Sequence, residues 1–138
     1  MIRYQKPARY LLLISIILAG AAICTISGCS RVGYRSDPSL IGYTEYGVAS
    51  FYALKFQFRK TSSGERFNQL ALSAAHRTLP FGTGVRVTNL RNGKSVIVRI
   101  NDRGPFIAGR IIDLSRYAFS RIEDTDRGLM NVKIEVVP

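Results

Sequence analysis

Histidine occurs once in this 138-residue chain and cysteine twice, and each scarcity excludes chemistry. A single imidazole is too small a ligand set for a zinc site, which draws on several nitrogen and sulfur donors. No metal and no other cofactor is expected. Acids are scarce as well: nine Asp and Glu oppose twenty Lys and Arg, a formal net charge of +11. Such a balance suits anionic partners, whether lipid head groups, nucleic acid or an acidic wall polymer, unless the charge serves solubility alone. Nucleic acid is disfavoured, because there is no tight arginine–lysine cluster and no nucleic-acid motif. No Gly-X-Ser-X-Gly elbow surrounds Ser63 or Ser73, which argues against serine hydrolysis. Internal repeats and low-complexity segments are absent too.

The longest apolar run, Leu11 to Ile23, is short for a membrane-spanning helix, which needs about 20 residues. Arg3, Lys6 and Arg9 precede it, and Ile26-Ser-Gly-Cys29 follows. A charged start, an apolar stretch and small residues before a cut site describe an export signal. The last four residues match the bacterial lipobox, which implies cleavage before Cys29 and acylation of its thiol; the alternative is an uncleaved anchor helix. Cys24 would leave with the signal, so no disulfide is expected and the domain relies on its core. Ser30 rather than Asp after the lipid site resembles Gram-negative lipoproteins sorted to the outer membrane, facing the periplasm. The expected organisation is a signal over 1–28, a lipidated cysteine with a flexible spacer over 29–45, and a folded domain over 46–138. Loss of the three leading bases leaves the mature chain at about +8, still basic.

Within the domain, Gly47 to Tyr52 has strand composition and Lys55 to Glu65 is a polar, basic loop. Leu70 to Ala75 is a brief strand or turn. Val85 to Leu90 and Ser95 to Ile100 alternate inward and outward, and Arg91-Asn-Gly-Lys94 between them predicts a hairpin. Gly104-Pro105 makes Asn101 to Gly109 a loop. Ile111 to Leu114 is a short strand, Ser115 a helix N-cap for a segment to about Ile122, and Val132 to Val137 a closing strand. Short strands with one small helix predict an all-β closed barrel.

Scarce proton-transfer groups gather in this region. Asp102 ends a strand where a loop-built cleft is expected, with Phe106 for an apolar wall and Arg103 for an anionic group. A general acid there needs its pKa raised by partial burial. The plain alternative is an Asx-turn residue capping the strand. His76 is either functional or a hydrogen-bonded structural residue beside Pro80, and Glu65 is otherwise an exposed turn carboxylate. Asp113, between Ile112 and Leu114, is a half-buried acid expected to pair with a backbone group or an arginine, unless it marks a site.

Together, Gly47-Val-Ala-Ser-Phe-Tyr52, Thr61-Ser-Ser-Gly-Glu65, Leu72-Ser-Ala-Ala-His-Arg-Thr-Leu-Pro80, Gly82-Thr-Gly-Val-Arg-Val-Thr-Asn-Leu90, Val98-Arg-Ile-Asn-Asp-Arg-Gly-Pro-Phe106 and Arg110-Ile-Ile-Asp-Leu-Ser115 resemble the rare lipoprotein A family of septal wall enzymes. The resemblance implies a six-stranded double-psi β-barrel. It implies a lytic transglycosylase that cuts the β-1,4 bond between N-acetylmuramic acid and N-acetylglucosamine without water, leaving a 1,6-anhydro end on peptide-poor glycan. Carried over by position, it makes Glu65, His76 and Asp102 functional. Asp102 becomes the acid/base, His76 its orienting or sugar-binding partner, Glu65 a supporting carboxylate and Asp113 the second candidate for the acid. Tyr52, Arg103 and Phe106 are expected against the substrate.

The resemblance also has gaps. Ser50-Phe-Tyr-Ala53 stands where the family usually has Ser-Trp-Tyr-Gly, and Leu54 to Lys60 lacks the family's glycine- and histidine-bearing loop. With Pro138 last, the C-terminal sporulation-related repeat that binds naked glycan is expected to be missing. The competing readings are a catalytically silent wall-binding or expansin-like wall-loosening lipoprotein, and an outer-membrane interaction protein with a vestigial groove.

Overall fold

The computed structural model describes residues 33–138, so the expected signal over 1–28 and the lipid site at Cys29 lie outside the described residues. Six strands form a closed barrel: β1 (Thr44–Phe51), β2 (Ser73–His76), β3 (Gly84–Asn89), β4 (Ser95–Asp102), β5 (Arg110–Leu114) and β6 (Met130–Val137), in the order β1-β5-β2-β4-β3-β6. One short helix, α1 (Arg116–Ser120), follows β5. Among the described residues no helix is long and apolar enough to cross a membrane.

Period-two alternation decides which side chains fill the barrel. Along β6, Met130, Val132, Ile134 and Val136 are buried while Lys133 and Glu135 lie nearer the surface. Val85, Val87, Val98, Ile100, Ile112 and Leu114 meet them from β3, β4 and β5. The predicted hairpin is present, with Val85 opposite Val98 and Thr88 opposite Ser95. Gly93 closes its turn at φ 72°, a conformation that suits a residue without Cβ. Ser115 caps α1, its Oγ accepting from the Ala118 N–H at 3.1 Å, and Phe119 packs on Phe51 with ring centres 4.7 Å apart.

Two pairs in the barrel, β1 with β5 and β2 with β4, are parallel, which forces the long crossovers of the double-psi topology. The consequence for function lies in β2. It sits between β4 and β5, so Ala75 is registered against Asp102 on one side and Asp113 on the other. At about 4.8 Å per strand, two carboxylates that are remote in sequence hang from backbones about 10 Å apart.

The boundary expected at 46 falls inside β1, and the segment expected to be a flexible spacer is docked from Tyr34 onward. Arg35 donates to the Gly82 carbonyl at 2.9 Å, Gly84 N–H to Ser36 Oγ at 3.1 Å, and Gly42 N–H to the Val136 carbonyl at 3.0 Å. Its Gly, Ser and Pro content read as loose chain, but the complementary surface lies elsewhere in the sequence. A Cβ on Gly84 would come within 2.5 Å of the Tyr34 ring, so that ring fits only against glycine.

Candidate active site

A cleft of about 750 Å³ opens where β1, β4 and β5 deliver their ends. Asp102 and Asp113 lie in it with Tyr52, the residue that follows β1. Phe106 stands in one wall, and the segment from Phe56 to Phe67 forms another with Phe58, Arg59, Lys60 and Arg66.

Asp102 is surrounded by donors. Tyr52 Oη–H donates to Oδ2 at 2.6 Å, and the N–H groups of Ser62 and Arg103 donate to Oδ1 at 2.9 and 2.8 Å. Burial is the largest single influence and raises the carboxyl's pKa, but the bonds from Tyr52, Ser62 and Arg103 together outweigh it and leave it below the usual aspartate value. This corrects the expected protonated acid: Asp102 rests as a carboxylate, because every partner it has is a donor. Burial first, and then the bond to Asp102, push the Tyr52 phenol far above its ordinary value, so Tyr52 keeps its proton.

Asp113 is held differently. Ser50 Oγ–H donates to its Oδ1 at 2.8 Å, and the Arg110 guanidinium pairs with that same oxygen. Oδ2 has no hydrogen-bond partner among the described residues. The arginine partner foreseen for Asp113 is therefore Arg110, three residues before it.

Glu65 lies outside the cleft lining and acts on the loop beside it. The Arg99 guanidinium grips it as a fork, at 2.7 and 2.6 Å, and Asn101 Nδ2 adds a bond at 3.2 Å. The Arg99 bonds come first among the causes that hold its pKa below the usual glutamate value. The pair fastens loop 61–66 to β4, and that loop presents the Ser62 N–H to Asp102. Glu65→Gln is therefore expected to raise hydrogen exchange at amides 61–66 by up to about fivefold, with barrel amides unchanged; a half-exposed pair is screened and contributes about 1 kcal/mol at most. Because the folded pKa is depressed, the difference from the parent is present above about pH 4.3 and disappears as pH falls through the folded value.

Although Ala75, next to His76, is registered against Asp102, no hydrogen bond joins the imidazole to that carboxyl among the described residues, and the orienting contact expected between them is absent. The imidazole is 2% exposed. Its Nδ1 accepts the N–H groups of Thr78 and Leu79 at 3.2 and 3.1 Å, which leaves the proton on Nε2 facing Glu45 Oε2 at 3.1 Å. Burial leads the causes that lower its pKa, outweighing the Glu45 carboxylate. His76 is thus a neutral residue that shapes the turn over 76–79. Two carbonyls of that turn, His76 and Leu79, accept from Arg103 Nη1 at 3.3 and 2.9 Å, and the guanidinium stacks on Phe81 at 3.9 Å. Arg103 lines the cleft, but its Nη1 is committed to this turn rather than to an anion.

Sequence reasoning missed Glu45, which lay before the expected domain boundary, and Ser50, Ser62 and Arg110 as partners of the two aspartates. Ser62 carried a signal, since it lies inside the Thr61-Ser-Ser-Gly-Glu65 match. Ser50, Arg99 and Arg110 likewise lie inside matched segments, but nothing local in those segments shows which acid each one meets.

The lytic transglycolase family pattern matches residues 44–134, the whole barrel except its last few residues. The chain belongs to this family. A relative from Synechocystis sp. named probable endolytic peptidoglycan transglycosylase RlpA is 62% identical over 108 residues, covering 78% of this chain and 34% of the relative. One from Pasteurella multocida named endolytic peptidoglycan transglycosylase RlpA is 52% identical over 108 residues, covering 77% and 37%. The chain thus spans about a third of the length of these family members. Among solved structures, the Streptomyces papain inhibitor superposes with a TM-score of 0.59 at 23% identity, covering 71% of this chain and 97% of that one. An expansin from Clavibacter michiganensis, crystallised with cellohexaose, superposes at 0.56 and 20% identity, covering 69% and 50%. These two share the double-psi barrel and bear on the fold alone.

Proposed function

We propose that this domain is a lytic transglycosylase of peptidoglycan, cutting the bond between N-acetylmuramic acid and N-acetylglucosamine and leaving a 1,6-anhydromuramyl end. Family membership and the names of the relatives support the reaction class. The observation that carries the reading is the pair of carboxyl groups, Asp102 and Asp113, brought into one cleft from the two neighbours of β2.

The reaction needs one proton moved and no water. The C1–O4 bond breaks, a C1–O6 bond forms within the muramyl ring, and a proton passes from O6 to the departing O4. Because the nucleophile belongs to the sugar, the protein's work is to hold the ring and handle that proton. In this reading Asp102, ionised and braced by Tyr52, Ser62 and Arg103, takes the proton from the 6-hydroxyl. Asp113, whose Oδ2 is left free by Arg110 and Ser50, serves as the acid toward the leaving oxygen, and the proton taken up by Asp102 replaces the one delivered by way of solvent. The developing positive charge at C1 lies between them, where the Asp102 carboxylate favours it.

The reading includes a lipid on Cys29 and an outer-membrane location, supported by Ile26-Ser-Gly-Cys29 and Ser30 in the sequence. Peptidoglycan glycan is the partner it names. Incubating the full chain with peptide-free glycan is expected to yield muro-oligosaccharides lighter by one water than hydrolysis products, without oxygen-18 uptake from labelled water. Binding with no new ends would overturn the reading in favour of a wall-binding module.

A further inference from the structure

The cleft wall formed by residues 56–66 has features the reaction itself does not require. Phe58 is 64% exposed and Phe106, in the other wall, 81% exposed. Two large rings facing water in one cleft are apolar surface awaiting a partner. Phe58 also sits at φ 65°, a backbone conformation rarely taken by a residue with a ring. It is held there by Phe58 N–H to the Phe67 carbonyl at 2.9 Å and by Arg66 Nη1 to the Phe58 carbonyl at 3.2 Å.

The charges beside it are unbalanced. Arg59, Lys60 and Arg66 line the cleft, and none forms a salt bridge among the described residues. Both cleft carboxylates are already engaged, Asp102 by neutral donors and Asp113 by Arg110 and Ser50. Arg59 is steadied against the Phe56 ring at 5.5 Å, which aims its charge without neutralising it. Exposed rings suit the C–H faces of sugars, and unpaired cations suit a carboxylate carried by one of those sugars.

We propose that residues 56–66 form a specificity element, in which Phe58 stacks on a sugar beside the scissile bond while Arg59, Lys60 and Arg66 hold a carboxylate on the strand, such as the free lactyl group of a muramyl residue. The proposal rests on the glycan-cleaving reading and assigns the chemical basis of its selectivity.

The test compares peptide-free glycan with the same glycan after its lactyl carboxylates are converted to amides. Both lack peptides, so charge alone differs. The full chain is expected to bind the charged form about tenfold more tightly in co-sedimentation, with a matching difference in KM and similar kcat. The preference should shrink as salt rises. The R59Q/K60Q/R66Q variant is expected to lose the preference while its circular dichroism matches the parent. Phe58→Gly keeps a backbone that glycine favours, so thermal stability should hold or rise while affinity for both glycans falls several-fold. Equal binding of charged and amidated glycan by the parent overturns the proposal, even if both are cut. Preferential binding without new ends supports it while overturning the catalytic reading.

Discussion

Asp113→Asn is expected to slow formation of anhydromuramyl ends by about a thousandfold, and Asp102→Asn by a comparable factor, the scale of a lost general acid or base. Asp102 has its folded pKa depressed, so its base form is present above that value and lost only as pH falls through it. The acid limb of kcat/KM set by Asp102 should therefore lie below about pH 3.9, the ordinary aspartate value. Tyr52→Phe removes the 2.6 Å donor to Oδ2 and leaves burial, which raises the pKa, less opposed. That variant should shift the acid limb upward without unfolding the barrel, because Tyr52 is bonded at the cleft and not within the core. Measured kcat/KM against pH for parent and Tyr52→Phe decides the matter. An unchanged acid limb would show that Asp102 is not the base, and full activity in Asp113→Asn would remove it as the acid.

The local elements were legible because their causes are local. Asn92-Gly93 and the alternation on either side define the β3–β4 hairpin, and Ser115 defines the start of α1 by capping it. The barrel itself was legible only through motif resemblance, since parallel pairs such as β1 with β5 join residues about sixty apart by no local signal. The same holds for the site. Asp102 and Asp113 were both singled out, but their shared registry with Ala75 depends on β2 lying between β4 and β5. The charge state of Asp102 was misjudged for a related reason. Burial was foreseeable beside Phe106 and Pro105, whereas the opposing donors arrive from Tyr52 and Ser62, forty or more positions away. Lys55 to Glu65 read as a polar, basic loop because nothing in its composition reports the backbone bond between Phe58 and Phe67 that holds the Phe58 ring at the cleft.

His76 tests the difference between a proton-transfer group and a positioning residue. Its Nδ1 satisfies two backbone N–H groups and its Nε2–H faces Glu45, so His76→Ala leaves the Thr78 and Leu79 N–H groups unpaired, while Glu45 keeps only Tyr43 and Arg77. The expected cost is about 2–4 kcal/mol of stability, read by denaturant unfolding. Loosening the turn at 76–79 also frees Arg103, whose backbone N–H holds Asp102, so turnover should fall as well. His76→Asn places an amide oxygen near the position of Nδ1 and is expected to restore most of the stability and turnover. The pH dependence separates the roles. With its folded pKa lowered, His76 contributes stability that is fully present above about pH 6.5 and lost as pH falls through the folded value. His76→Asn should lack that slope in stability yet keep the parental shape of kcat against pH. A catalytic imidazole predicts the reverse: loss of a limb near neutrality in the rate profile and no rescue by asparagine. The buried, doubly accepting nitrogen argues for the first outcome, because protonating it would break both bonds that form the turn.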